Sequence, residues 1–162
     1  MFTFRPLNEN DFELLTQWRN QPHIDTWWDG ATDFEGIRVR YGPRINVDSI
    51  QKLFIVEYDS KPFGRLQYEP TCTWLPDFPP NVANVDYLIG MESDIGKGLG
   101  PQMIDQFVTE VIAEDGRFET VISDPDVKNI RSVRALEKAG FTKFEIRAID
   151  GRTFQFLKRK LQ

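Results

Sequence analysis

A mixed α/β layer fold, built as one domain over residues 1–162, follows from three features of the sequence. Short runs with strand patterning precede and follow two long stretches in which apolar residues recur at helical spacing. Glycine, proline and Asp-Gly pairs separate these segments at short intervals. Apolar residues make up 40% of the chain, including 13 Phe and 4 Trp, which is enough to fill a sizeable core and argues against disorder.

Taken in order, Phe2 and Phe4 alternate with Thr3 and Arg5 in a strand that Pro6 ends. Asn10 or Asp11 is placed to cap a helix through Trp18, with Phe12, Leu15 and Trp18 about one turn apart. A weaker helix is predicted over 33–41. The runs LFIVEY (53–58) and FGRLQYE (63–69) flank DSKP and read as a hairpin. Residues 70–82 hold four prolines with Trp74 and Phe78, which predicts a loop that walls a site. NVDYLIGM (84–91) is the next strand.

Beyond the glycines at 96, 98 and 100, Leu99, Met103, Ile104, Phe107, Val108, Val111 and Ile112 mark one buried helical face, which Asp115-Gly116 closes. ETVIS (119–123) reads as a buried strand. Asn129 caps a helix with Ile130, Val133 and Leu136 on one side and Gly140 just past its end. KFEIRAI and TFQFLKRKL, joined by Asp150-Gly151, form a terminal hairpin.

A net charge of −5 makes nucleic acid a poor partner, because phosphate binding needs a cationic footprint. An acidic cleft for a cationic small molecule fits this balance better. One cysteine, Cys72, and one histidine, His23, leave little for a metal cage, so no metal is expected. The apolar runs are too short to span a bilayer, and Met1 leads straight into FTFRPL, so a soluble, cytoplasmic protein without a membrane partner is expected.

The stretch DIGKGLGPQM (94–103) puts glycines at alternate positions between a strand and a helix start. Such a turn aims several backbone N–H groups at one point, adds the positive end of the helix dipole, and lets a phosphate approach closely. A tight strand-to-helix turn with no ligand explains the same residues. The spacing matches neither the nucleotide-triphosphate loop nor GxGxxG.

IGKGLG resembles the [QR]xxGx[GA] pyrophosphate loop of the Gcn5-related N-acetyltransferases (GNAT), and NIRSVRALEKAGF (129–141) resembles that family's second signature, NxxAxxxYxKxGF. Both lie in the family's order. WRNQPHIDTWW, RYGPRI, SKPFGRLQ, NVDYLI and SDP extend the similarity toward the aminoglycoside 6'-N-acetyltransferase branch. The resemblance implies a central mixed, mostly antiparallel sheet flanked by helices and splayed between strands four and five, where the arm of acetyl-CoA lies.

It further implies that backbone groups at Leu88 and Ile89 hold the pantetheine amides, and that the amides of Gly96, Lys97, Gly98, Leu99 and Gly100 take the pyrophosphate, with Asn129 near the cofactor arm. Asp86 matches the acidic residue that accepts a proton from the amine, and Asp124 one that positions a cationic substrate; an ion pair and a turn Asp before Pro125 are their structural alternatives. Trp28 and Tyr41, with Trp27 beside them, match aromatic positions of the acceptor pocket. His23 reads as a packed or hydrogen-bonded histidine. Two departures stand out: Ile95 replaces a polar cofactor contact, and Leu136 takes the place of the tyrosine that protonates the departing thiolate.

The expected activity is acetyl-CoA-dependent N-acetylation of a primary amine on a polycationic small molecule, foremost the 6'-amine of an aminoglycoside, an antibiotic-resistance type of reaction, by a monomer or homodimer. HxxxWW (23–28) also resembles hydroxylysine acyltransferases of siderophore synthesis. Leu136 leaves room for a third alternative, an acyl-CoA-binding sensor without turnover.

Overall fold

The computed structural model describes Met1–Gln162. Seven strands form one sheet in the order β1-β2-β3-β4-β5-β7-β6, mostly antiparallel, with a parallel pair at β4 and β5. The strands are β1 (Phe2–Pro6), β2 (Lys52–Tyr58), β3 (Lys61–Pro70), β4 (Val82–Ile89), β5 (Thr120–Ser123), β6 (Thr142–Ile149) and β7 (Arg152–Lys160). The helices are α1 (Phe12–Arg19), α2 (Pro22–Asp25), α3 (Phe34–Tyr41), α4 (Leu99–Phe107), α5 (Ala113–Asp115) and α6 (Ile130–Lys138). None of them is long and apolar enough to cross a membrane.

The chain packs as two compact units, Met1–Tyr68 with Asp86–Lys97, and Glu69–Val85 with Gly98–Gln162. In the first, Phe12, Leu15 and Trp18 of α1 bury their expected face with Ile37 and Tyr41 of α3, Leu53 and Ile55 of β2, and Leu88 of β4. Asp11, one of the two predicted residues, stands at the N-cap of α1, but its side chain serves the turn before it. Asn8 accepts from the Asn10 amide at 3.0 Å while Asp11 accepts from the Asn8 amide at 2.9 Å, so a capping box starts a short 3-10 turn before the α-helix. α3 runs over Phe34–Tyr41, and Asp33, the first residue of the predicted span, caps it by accepting from the Gly36 amide.

The β2–β3 hairpin turns on Asp59 and Ser60, both at positive φ, which is tighter than the four-residue DSKP turn. A bulge between Val56 and Glu57 sits opposite Pro62, which has no N–H to give the ladder. Further along β3, a Cβ on Gly64 would stand 2.2 Å from the carbonyl oxygen of Leu88, so only glycine allows this approach to β4.

In the second unit, Val82, Ile122 and Phe156 make a core cluster on which Phe78 and Phe144 pack. Phe78, from the proline-rich loop, is therefore largely structural. Met103, Ile104, Phe107, Val108 and Ile112 are buried as the periodicity predicts, but the helix widens to π geometry over Val108–Ile112. The Thr109 hydroxyl donates to the Asp105 carbonyl at 2.9 Å and competes there with the helical ladder. Gly116, Gly140 and Gly151 all adopt positive φ at the predicted ends and turn. On α6, Val133 and Leu136 are buried, but Ile130, in the first turn, is 57% exposed.

β4 starts and stops two residues earlier than predicted. Its parallel pairing with β5 runs from Val82↔Thr120 to Asn84↔Ile122 and ends there, while β4 continues to Ile89. That is the divergence between strands four and five expected from the resemblance.

Candidate acyl-transfer site

Asp86 lies in the stretch of β4 beyond its pairing with β5, on the part that keeps only β3 as a neighbour. Its neighbour on β3, Arg65, is fully buried, and Arg65 Nη2 lies 3.3 Å from Asp86 Oδ2. Arg65 Nη1 donates to Gln67 Oε1 at 2.7 Å, and the guanidinium carbon stands 4.9 Å from the ring centroid of Trp28. Burial pushes the Asp86 carboxyl above the usual carboxylate range, although Arg65, the Tyr87 N–H and the charge of Arg40 all pull it down. A carboxyl raised in this way is a stronger proton acceptor than a free one.

Trp28, Tyr41 and Leu88 share one hollow with Arg19, Asp29 and Arg40. The sequence predicted the first three. Arg19 Nη2 donates to the Trp28 carbonyl at 2.7 Å while Nη1 donates to Asp25 at 2.7 Å, which fixes the loop that carries the tryptophan. Tyr41 is also buried in the core cluster of the first unit.

His23 Nε2 donates to the carbonyl of Ile89 at 2.8 Å, in agreement with the hydrogen-bonded role read from the sequence. The carbonyl of Leu88 lies against Gly64. Both carbonyls thus face the protein, which leaves N–H groups as the backbone donors this end of β4 can present to a ligand.

Along the chain from Asp94, Gly96 and Gly98 take φ of 82° and 75°, in the left-handed region that other residues avoid. A Cβ on either would meet nothing within 4 Å, so open space borders the turn. The amides of Gly96, Lys97 and Gly98 enter no backbone hydrogen bond, and those of Leu99 and Gly100 open α4, where N–H groups have no helical partner. These donors suit a diphosphate. Lys97 Nζ is 3.0 Å from Asp94 Oδ1, so its charge is partly engaged within the turn.

In the second unit, Asn84 Nδ2 donates to Asp124 Oδ1 at 2.8 Å, and Ser123 Oγ donates to the Val85 carbonyl at 2.9 Å. Asp124 is therefore oriented by a side chain of β4 and is more than a turn residue before Pro125. Asn129 accepts from the Ser132 amide at 3.3 Å as the α6 cap. Leu136 is sealed in the core.

Arg65, Arg40 and Asn84 escaped the sequence reading. Arg65 carried a usable signal: a charged residue inside a strand of apolar neighbours is expensive unless it has a partner, the same logic that singled out Asp86.

A family profile described as "Acetyltransferase (GNAT) domain" matches residues 8–148. Over 147 residues the chain is 29% identical to an aminoglycoside N(6')-acetyltransferase type 1 of Klebsiella pneumoniae, covering 86% of this chain and 73% of the relative. It is 24% identical over 135 residues to a lysine N-acyltransferase, MbtK, of Mycobacterium tuberculosis, covering 80% and 63%. Among solved structures, AAC(6')-Ib in complex with paromomycin and acetyl-CoA superposes with a TM-score of 0.90 at 26% identity, over 98% of this chain and 93% of that one. The same enzyme with coenzyme A and kanamycin gives a TM-score of 0.90 at 25% identity, over 99% and 95%. With the glycine turn, the divergent strands and the half-buried Asp86 described, this chain belongs to the GNAT acetyltransferase family and is an acyltransferase.

Proposed function

We propose that this chain, acting as one catalytic domain over residues 1–162, transfers acetyl from acetyl-CoA to a primary amine, foremost the 6'-amine of an aminoglycoside. The single observation that carries the mechanism is Asp86: a carboxyl raised by burial at the point where β4 has left β5. An alkylamine arrives as an ammonium with a pKa of about 10, so a base must accept a proton before nitrogen can attack. Asp86 takes that proton. Acetyl-CoA supplies the activated thioester and the thiol leaving group. The new C–N bond forms as the C–S bond breaks, and the departing thiolate, of pKa about 8.5, is protonated by water because Leu136 offers no proton.

The amides of Gly96 to Gly100 hold the diphosphate, and the N–H groups at Leu88 and Ile89 orient the arm. Asn129 stands by the arm as the α6 cap. Trp28 and Tyr41 line the acceptor hollow. The Klebsiella relative is named an aminoglycoside N(6')-acetyltransferase and the AAC(6')-Ib structures hold aminoglycosides, which is the main support for that acceptor. A cationic antibiotic as substrate makes this a resistance-type activity.

A second reading, acylation of a lysine or hydroxylysine side chain, draws on one observation. Arg65 and Arg40 both act on Asp86, so this end of the site is less acidic than a purely polycation-binding cleft requires. A thiol-release screen across aminoglycosides, polyamines, lysine and hydroxylysine tests both. Turnover confined to aminoglycosides supports the first reading and turnover confined to lysine derivatives the second. Binding of coenzyme A with no turnover on any amine contradicts both.

A further inference from the structure

Two Arg–Asp pairs in this molecule are built in opposite ways. Arg5 grips Asp11 with both terminal nitrogens, at 2.9 and 2.7 Å. There the carboxylate is sealed, at 7% side-chain exposure, and the arginine is open, at 38%. That is the pattern of a structural ion pair, and it holds Asp11 in its charged form. In the other pair the arginine is sealed, at 0%, and the carboxylate is open, at 33%. Arg65 makes one contact to Asp86, at 3.3 Å, instead of a fork. Its other terminal nitrogen is tied to Gln67, and its Nε has no hydrogen-bond partner.

A buried arginine that leaves a hydrogen-bonding nitrogen unpaired and reaches its carboxylate by one long contact is poor design for stability alone. It is suited to holding a fixed positive charge under a carboxylate that must stay accessible. From this geometry we infer that Arg65 is a positioning residue for Asp86: its permanent charge, clamped by Gln67 and the Trp28 ring, orients the carboxylate toward the acceptor and limits how tightly it holds the proton it removes. This rests on Asp86 as the base.

The proton balance follows directly. The ammonium loses a proton to Asp86, whose charge is thereby neutralised, and Arg65 keeps its own proton throughout, because a guanidinium does not titrate in a protein. With the cation beneath it, Asp86 returns its proton to solvent for the next cycle. Without the cation, burial is opposed only by the Tyr87 N–H and the charge of Arg40, and the carboxyl stays protonated to higher pH. The other charged groups toward this end are Arg40 on α3, which also draws on Asp86, and Arg19 and Asp29, which line the same hollow; Arg19 is committed to Asp25.

The test is carboxyl carbon NMR titration of Asp86, assigned with Asp86→Asn, in the wild type, Arg65→Gln, Arg65→Met and Arg65→Lys. Either charge-free variant is expected to raise the Asp86 midpoint by about one pH unit or more, a tenfold change in proton affinity. The acid limb of kcat/KM moves with it, and KM for acetyl-CoA stays within about twofold, because the acceptor side alone is changed. Arg65→Lys keeps the charge and is expected to hold the midpoint within about half a unit. An unchanged midpoint in a folded charge-free variant overturns the inference. If neither charge-free variant folds, a full-unit rise in Arg65→Lys overturns it. Full activity in Asp86→Asn removes the base itself, and the NMR midpoints still report whether Arg65 sets that carboxyl, so the two failures are distinguishable.

Discussion

His23 ties α2 to the end of β4: its Nε2–H donates to the carbonyl of Ile89 at 2.8 Å, and its Nδ1 is buried without a hydrogen-bond partner. A carbonyl donor bond fixes the tautomer, with the proton on Nε2. The ring therefore works as a strut that stops the last residue of β4 from drifting, and the sequence around it, PHID, supplies the short helix that aims it.

Replacing His23 with alanine removes that bond and leaves the Ile89 carbonyl without its partner. The expected cost is about 1–3 kcal/mol in urea unfolding. If the end of β4 orients the acetyl-CoA arm, KM for acetyl-CoA rises by more than the loss of folded protein explains. A variant as stable as the wild type contradicts the strut.

Gly98→Ala forces an alanine into the left-handed region at φ 75° but adds no clash. The expected stability cost is about 1 kcal/mol. The cofactor effect is expected to be larger, about a tenfold rise in KM for acetyl-CoA, because the turn relaxes and the amides lose their common aim. Steady-state kinetics at fixed acceptor measures it; an unchanged KM removes the diphosphate from this turn.

Asp11 gives the fold a defined acid sensitivity. Burial alone raises its carboxyl, but the fork from Arg5 and the Asn8 amide together bring it below the usual carboxylate range. A depressed carboxyl contributes stability that is present above its unfolded value of about 3.9 and is lost as pH falls through the lower folded value. Chemical unfolding of wild type and Asp11→Asn is expected to differ most at neutral pH and to converge as pH falls below the depressed folded value. Parallel curves at every pH contradict this assignment.

Much of the fold was legible because local chemistry and tertiary packing agree. The face Met103–Ile104–Phe107 is buried where its period says, Asn129 caps α6, and Gly140 ends it. The failures have specific causes. The 3-10 turn ahead of α1 was not foreseen because Asn8 and Asp11 cap it reciprocally, which a single cap residue does not reveal. Ile130 keeps the period of its helix, but a first-turn position lies beyond the reach of the core. At the site, Asp86 stood out as a carboxylate in an apolar strand. Arg65 satisfies the same rule but went unread, because its role depends on a partner 21 residues away that only the sheet brings near.

Leu136 is fully buried, which bears on the missing tyrosine. Leu136→Tyr puts a larger, polar-tipped ring into a packed core and is expected to lower stability by about 1–3 kcal/mol. It is not expected to raise kcat, since release of a thiolate of modest pKa needs no side-chain acid. A stable Leu136→Tyr variant with a severalfold higher kcat shows that proton donation limits this enzyme.

The most direct measurement is thiol release from acetyl-CoA with two matched aminoglycosides, one bearing a 6'-amine and the other a 6'-hydroxyl. Turnover with the amine that falls by at least about a hundredfold in Asp86→Asn, with none from the hydroxyl analogue, is the predicted result. Coenzyme A binding with no turnover on the amine, or full turnover in Asp86→Asn, contradicts the account.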